Sequence, residues 1–522
     1  MRREQIYQAR IDTFYRDQNG KLNPTTFLAA KPPKSTKSIS KIRKPDQLWA
    51  DDPQEILETF SNHFISSVAT PNPLPPSSIA NLLITLQLPE NSLKEPIPSV
   101  ISSSLSTLDL QESLNSMEPF STPGLSGISR SFLKWLLIMI PNSFTIGTNY
   151  YTLHKISHKS FEWVKKRKVI FIPKSNRTWE KPDDYRPISL LEVYYKMISK
   201  SLSKRVLPIM CSYISPEQHG FTPGRTAAEA TTFAQTIIKD AIAFNKPLQI
   251  ISFDAKSAFD RVKFIAVRQM LNEANINLEF IDAWLDLTEG GLAQVSINGL
   301  LSEPIKLLDG TGQGDNSSTI KYNLVHELIL KLYKLLDFPF KYVVRNLPVP
   351  LLAYADDLHA YTKLSSTQDY LDLLSFFDHF ETVTGFQLNK TKTEILCINS
   401  DPNLIQQLSD LNQGKVVTEL KHLGILLTQD EQVTAEVNSL LLSSSLESKI
   451  KLILRRRHDI FTKKLLIDIA VHSKLNHSFM AIKYEDHILQ TLQNMIISGL
   501  WAKGTEGDDI IGGRKLIAKN RI

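Results

Sequence analysis

Apolar positions along the 522-residue chain follow two periods, and each predicts a different element. Ile250-Ile251-Ser252-Phe253 is short, β-branched and almost continuously apolar, which predicts a buried strand delivering Asp254 at its end. Val349-Pro350-Leu351-Leu352 and Leu358-His359-Ala360-Tyr361 flank Tyr354-Ala355-Asp356-Asp357, a pattern that predicts a β-hairpin with two carboxylates at its tip. Val169-Ile170-Phe171-Ile172 predicts a further strand, ending at Pro173-Lys174. Helical spacing takes over at Tyr370, Leu373, Leu374, Phe377 and Phe380, with Gly385 as the stop, so this segment is expected to pack under a sheet with its aromatics in the core. Glu55 to Val68 also has a helical pattern, but Ser/Pro-rich joints such as Pro73 to Pro76 give the region from about 53 to 117 a linker-like look. The most apolar window, Phe132 to Ile140, carries Lys134 and is too short to span a bilayer; a buried helix is expected. From about 440 onward the pattern is helical, and no internal repeat is visible.

Composition narrows the class. A chain of this length with 42% apolar residues can bury sizeable cores and suggests about three domains. Only Cys211 and Cys397 are present, which excludes a disulfide framework and a zinc site built on paired cysteines, and fits a reducing compartment. The twelve His form no HExxH pattern. No signal peptide or membrane span is read, so an intracellular place, nuclear or cytoplasmic, is expected. Charge is unevenly placed: residues 1–50 hold eleven Lys or Arg against four Asp or Glu, a local +7 that leaves −1 for the rest of the net +6. Residues 1 to about 48, broken by Lys31-Pro32-Pro33-Lys34, read as a loosely ordered basic arm. Basic clusters recur at Lys165-Lys166-Arg167-Lys168 and Arg455-Arg456-Arg457; taken alone, such runs are usually solvated faces.

Two adjacent carboxylates at a hairpin tip repel each other unless a cation sits between them. With Asp254 at the end of a neighbouring strand, three carboxylates would converge on one point, the arrangement a two-metal phosphoryl-transfer centre needs. Here the residues resemble a known family. Phe253-Asp254-Ala255-Lys256-Ser257-Ala258-Phe259-Asp260 is similar to motif A, and Tyr354-Ala355-Asp356-Asp357 to motif C, of reverse transcriptases. Other segments resemble the same family in order: Pro123 to Ile128, Asp184 to Leu191, Gln218-His219-Gly220-Phe221 with Gly224-Arg225, Ala293 to Gly299 leading to Gly312-Gln313-Gly314-Asp315, Gly385 to Asn389 with Lys392-Thr393-Glu394, and Leu420 to Gly424. The Gln218 and Ala293 segments point to the non-LTR (LINE-type) retrotransposon branch. A group II intron maturase-like enzyme and a catalytically silent nucleic-acid-binding remnant are the alternatives.

The resemblance implies an α+β right-hand polymerase: a basic arm and linker-like helical region over 1–118, fingers and an antiparallel palm sheet over 119–430, and a helical thumb over 431–522. Flanking such a palm, the basic clusters at 165–168 and 455–457 are expected to contact the backbone of a primer-template duplex. It implies RNA-directed DNA polymerisation from a DNA primer on an RNA template, with deoxynucleoside triphosphates as substrates and two Mg²⁺ ions, or Mn²⁺ in their place. Asp254, Asp356 and Asp357 become the catalytic metal ligands, with Asp357 the weaker one and Asp260 structural. Arg186 and Lys174 become triphosphate cations, Phe259 the ribose-sensing aromatic, and Gln313 and Gly314 the loop beside the templating pair. Neither an endonuclease nor a zinc-knuckle pattern is found, so a partial element product is expected, with the source of any nick open. The chain departs from the family at two places. Ser126 stands where an acidic residue is common, and Gly312 stands where an Arg usually precedes the Gln, followed by Asn316-Ser317-Ser318-Thr319 in place of Pro-Leu-Ser-Pro. On this reading Gly312→Arg is expected to raise kcat/KM, provided that residue 312 has a backbone conformation that a side chain can tolerate.

Overall fold

The apolar run at Leu248–Phe253 becomes the middle strand of a five-stranded sheet. A computed structural model describes residues 38–501, apart from 69–78, 90–91, 94–100, 120, 154–158, 175–176, 257, 412–413, 456–458 and 480–485. Most of the expected basic arm, and Arg456 and Arg457, thus lie outside the described residues. In chain order the strands used below are β1 (Lys166–Pro173), β2 (Tyr185–Leu191), β3 (Leu248–Phe253), β4 (Leu292–Ile297), β5 (Leu300–Leu301), β6 (Leu352–Tyr354), β7 (Asp357–Thr362), β8 (Glu394–Ile398) and β9 (Lys415–Val417). The helices are α1 (Pro53–Val68), α2 (Thr107–Asn115), α3 (Arg130–Met139), α4 (Val193–Tyr213), α5 (Ser318–Leu335), α6 (Thr367–Asp378), α7 (Pro402–Asp410) and α8 (Glu431–Arg455).

The central sheet runs β6-β7-β3-β8-β9, and β3 pairs antiparallel with both of its neighbours. Flanked on both edges and covered on both faces, β3 can carry an almost unbroken apolar run. Its register sets Phe253 opposite Leu358, which brings the next residue, Asp254, level with the β6-β7 turn. A second sheet runs β2-β1-β4-β5, with β1 antiparallel to β2 and parallel to β4. Helix α6 forms as its periodicity predicts. Ser366 caps it in a reciprocal box with Asp369, and Tyr370, Leu373, Leu374, Phe376 and Phe377 are buried.

Three expectations are corrected. The Phe132–Ile140 window is helical but not buried: α3 sinks only Leu133 and Leu137, while Phe132, Trp135, Ile138 and Met139 are exposed. Apolar content all round a helix did not bring a partner for every face. The stretch from 53 to 117 is no linker in its described parts. Phe60 of α1 packs 4.6 Å from Phe171 of β1 and edge-on to Tyr185 of β2, and Leu110 and Leu114 of α2 are fully buried in the main core. The third concerns the cluster at 165–168. Strand alternation turns Arg167 inward, where it is only 2% exposed, so this residue does not face a nucleic-acid backbone.

Among the described residues, 38–225 and 246–416 form one compact unit, while 226–245 and 417–501 form another. In the second unit, the hairpin Glu419–His422/Ile425–Thr428 is tied to α8 by Asn438, whose side chain exchanges hydrogen bonds with the Leu426 backbone at 2.9 and 2.7 Å. No described helix is long and apolar enough to cross a membrane.

Candidate active site

Asp254 leaves the end of β3, and Asp356 sits in the two-residue turn that joins β6 to β7, where Tyr354 pairs with Asp357. Ala355 takes φ +57 in that turn. For a residue with a Cβ this left-handed conformation costs about 1–2 kcal/mol, so neighbours must hold it. Burial raises the Asp356 carboxyl above its ordinary value and the charge of Asp254 adds to the rise, while Arg186 opposes it. Asp254 Oδ2 accepts from Lys392 Nζ at 3.0 Å and from Asn389 Nδ2 at 3.3 Å. Two carboxylates thus feel each other, with an ammonium already drawn to Asp254. That is the electrostatic setting a divalent cation relieves, and oxygen-only ligands suit Mg²⁺ or Mn²⁺.

Asp357 opens β7 and is exposed. Among the described residues no three His, Cys, Asp or Glu side chains are grouped to hold a metal. The structure brings Asp254 and Asp356 within electrostatic reach; Asp356 and Asp357 are both exposed at the turn, and the charges of both reach Tyr322. Asp260 is buried and pushed up to about 6 by that burial, with the Arg167 guanidinium acting in the opposite sense.

Cations gather on the same side. Burial lowers Lys174, Asp183 opposes this, and Lys392, Arg186 and Arg177 lower it further, so three positive groups act on Lys174. Lys174 Nζ donates to the Asp183 carbonyl at 2.6 Å, and Arg186 is exposed on β2. The ring of Phe259 is half-buried, 4.8 Å from the ring of Tyr322 and 6.0 Å from that of Phe221. Tyr322 is fully buried; burial raises its hydroxyl well above the ordinary value, and the charges of Asp356 and Asp357 add to the rise.

The loop 310–315 is pinned to β2. Ser189 N donates to the Gln313 carbonyl at 2.8 Å, and Asp315 accepts from Tyr195 Oη and Ser199 Oγ, each at 2.7 Å, and from Ser317 Oγ at 2.5 Å. Burial alone would raise Asp315, but Lys321 and these hydroxyls outweigh it and hold the carboxyl below its ordinary value. Lys321, buried in α5, is pushed down to about 8 by desolvation and donates to Thr288 Oγ1 at 2.6 Å. Gly312 has φ +72, and a Cβ there would lie 2.5 Å from Arg167 Nη1; a Cβ on Gly314 would lie 2.5 Å from the Ser189 carbonyl. Both positions thus require the absence of a side chain. Ser126, which stands where an acidic residue is common, is itself bonded to a carboxylate: Glu192 Oε1 accepts from Ser126 N at 2.9 Å, and its Oε2 from Ser126 Oγ.

Sequence reasoning missed Arg167, Tyr322, Lys321 and the role of Lys392. The signal was weak because β1 shows its buried guanidinium only as one member of a basic run. In α5, by contrast, polar residues stand at positions that strict helical periodicity would make apolar, and such an interruption marks a site.

Residues 172–427 match the family model described as reverse transcriptase (RNA-dependent DNA polymerase). The chain is 25% identical over 343 residues to the transposon TX1 uncharacterized 149 kDa protein of Xenopus laevis, a match covering 65% of this chain and 25% of that protein. It is 26% identical over 278 residues to the retrovirus-related Pol polyprotein from the type-2 retrotransposable element R2DM of Drosophila melanogaster, covering 51% and 25% respectively. A putative 115 kDa protein in the type-1 retrotransposable element R1DM of the same organism is 22% identical over 330 residues, covering 61% and 30%. The chain spans about a quarter of the length of these relatives.

Proposed function

The chain carries a reverse transcriptase domain of the kind found in non-LTR retrotransposons, and from that premise we propose that it copies RNA into DNA by adding deoxynucleotides to a primer 3′-hydroxyl. Such a domain has the polymerase fold of fingers, palm and thumb. We take the β6-β7-β3-β8-β9 sheet as the palm, the β1-β2 hairpin as part of the fingers and the helices from Glu431 as the thumb. An RNA template, a primer and deoxynucleoside triphosphates are the partners this reading requires.

The observation that carries it is the convergence of Asp254 and Asp356 at one end of the strands of the central sheet, with Arg186 acting on Asp356 and Lys392 bonded to Asp254. Asp254 and Asp356 would hold the divalent ions, which supply Lewis-acid stabilisation to the attacking and leaving oxygens; Asp357 is assigned a lesser share. The remaining work falls to the chain. Arg186 offers a planar, bidentate fit to phosphate oxygens, and Lys174 a point charge beside it. Phe259 presents a rigid ring that would exclude a 2′-hydroxyl, selecting deoxynucleotides by steric clash. The bare backbone at Gly314, with Gln313 beside it, allows close approach of a base pair.

Primer extension on an RNA template by wild type, Asp254→Asn and Asp356→Asn tests the proposal. Extension by the wild type and loss of about a thousandfold or more in each variant, with primer-template affinity unchanged, is the expected result. A wild type that binds duplex without extending it would identify a silent nucleic-acid-binding protein.

A further inference from the structure

The catalytic turn does not hold itself. Ala355 is kept in a left-handed conformation between two strand ends, and the loop 214–222 meets it from outside the hairpin. Glu217 to His219 run alongside β6 as a short parallel addition to the sheet: Ala353 N donates to the Glu217 carbonyl at 3.0 Å, and His219 N to the Ala353 carbonyl at 2.8 Å. Gln218 is completely buried. Its Oε1 accepts from Ala355 N at 3.1 Å and from Gly220 N at 2.9 Å. Two backbone N–H groups on one oxygen fix which end of the amide is which, so Nε2 is the donor to His326 Nδ1 at 3.2 Å. Gly220 presses so closely on Ala355 that a Cβ there would fall inside the van der Waals envelope of Ala355 N.

The loop is itself held by α5 and by Arg225. Asn323 Nδ2 donates to the Gly220 carbonyl at 2.9 Å, Ser215 N donates to Glu327 Oε2 at 2.9 Å, and Arg225 Nη1 donates to the carbonyls of Gln218, at 2.7 Å, and of Ser215. Asn323, His326 and Glu327 all lie on α5, the buried helix that follows the 310–315 loop. A rigid helix thus reaches the catalytic turn through one side-chain amide. Resting on the polymerase reading above, we propose that Gln218 is a positioning residue: it holds the strained Ala355-Asp356 turn so that the Asp356 carboxylate is presented toward Asp254 for metal binding.

Mn²⁺ binding, followed by loss of the free-ion paramagnetic resonance signal, reads this without any need for catalysis. Gln218→Met keeps the side-chain length and removes both hydrogen-bonding ends. It is expected to weaken Mn²⁺ binding by about tenfold, and Gly220→Ala, which pushes the same turn with Gln218 intact, by a similar factor. Ala355→Gly added to Gln218→Met should recover at least about threefold of the loss, because glycine adopts φ +57 without strain. A purely structural role would not give that rescue. Leu408→Ala, in α7 of the same core, serves as the control for lost stability and should leave Mn²⁺ affinity unchanged.

Where the protein extends primers, Gln218→Met should lower kcat with little change in primer-template affinity. Wild-type Mn²⁺ affinity in Gln218→Met, or in Gly220→Ala should the first not fold, overturns the positioning role. So does an equal loss in Leu408→Ala. A wild type that binds Mn²⁺ and responds to Gln218→Met, yet extends nothing, overturns the polymerase reading alone.

Discussion

At Gly312 the backbone turns through φ +72 with the Arg167 guanidinium against it, so the residue that reads from sequence as a defect is the one the loop can accept. An Arg there would have to adopt a left-handed conformation and displace a buried cation of its own charge, at a cost of at least about 1–2 kcal/mol. The condition on which Gly312→Arg would improve catalysis is therefore not met. Steady-state kinetics should show kcat/KM lowered by about tenfold or more, and a rise would mean that Arg167 can move aside. Phe259 makes a different case. Its ring leans on Tyr322 on one side and on the half-exposed Phe221 on the other, so truncation leaves a space continuous with the surface. Phe259→Ala is expected to raise ribonucleotide relative to deoxynucleotide incorporation in single-turnover competition, by about tenfold. An unchanged ratio would leave Phe259 as packing for Tyr322.

Helix α5 shows what an element can do that its pattern does not announce. It is buried almost throughout and still carries Lys321, Asn323, His326 and Glu327, each spent on a different neighbour: Thr288 and Asp315, the Gly220 carbonyl, Gln218, and Ser215. Glu327 is pushed up to about 7 by burial, against the bonds from Ser215 and the charge of Lys331, from an unfolded value of 4.5. Between those two pH values the folded protein holds a proton that the unfolded chain has released, so stability falls as pH rises through this window. Above pH 7 Glu327 costs about 3 kcal/mol. Glu327→Gln keeps an acceptor for Ser215 N and can donate to its hydroxyl, so thermal unfolding of the variant should be less pH-dependent between 5 and 7. At pH 8 it should exceed wild type in Tm by several degrees. Parallel profiles for the two proteins would show that Glu327 is already solvated or ion-paired.

At the scale of the whole molecule, net charge and its placement matter more than any one interaction. Residues 1–37 carry eight Lys or Arg against three Asp or Glu. A chain beginning at residue 38 is expected to bind primer-template less tightly, with a slope of log Kd against log salt shallower by about 0.9 for each phosphate that the shortened chain leaves unneutralised, while kcat changes little. An unchanged salt slope would remove the N-terminal segment from the duplex-binding surface. What the sequence determined by itself was local. The strand before Asp254, the hairpin around Asp356 and the amphipathic helix ending near Phe380 were legible because burial on one face or two imposes a period on consecutive residues. The ordered motifs made the polymerase domain legible for the same reason, each being a short run with its own backbone demands. Tertiary structure alone decided the rest. Whether Arg167 faces solvent or lies beneath Gly312, whether α3 finds a partner for its second face, whether Glu192 serves Ser126 and Gln218 serves Ala355 are pairings between residues 66 to 145 positions apart. No period spans such distances, because the chain between two partners can take many paths and only the packed whole selects one.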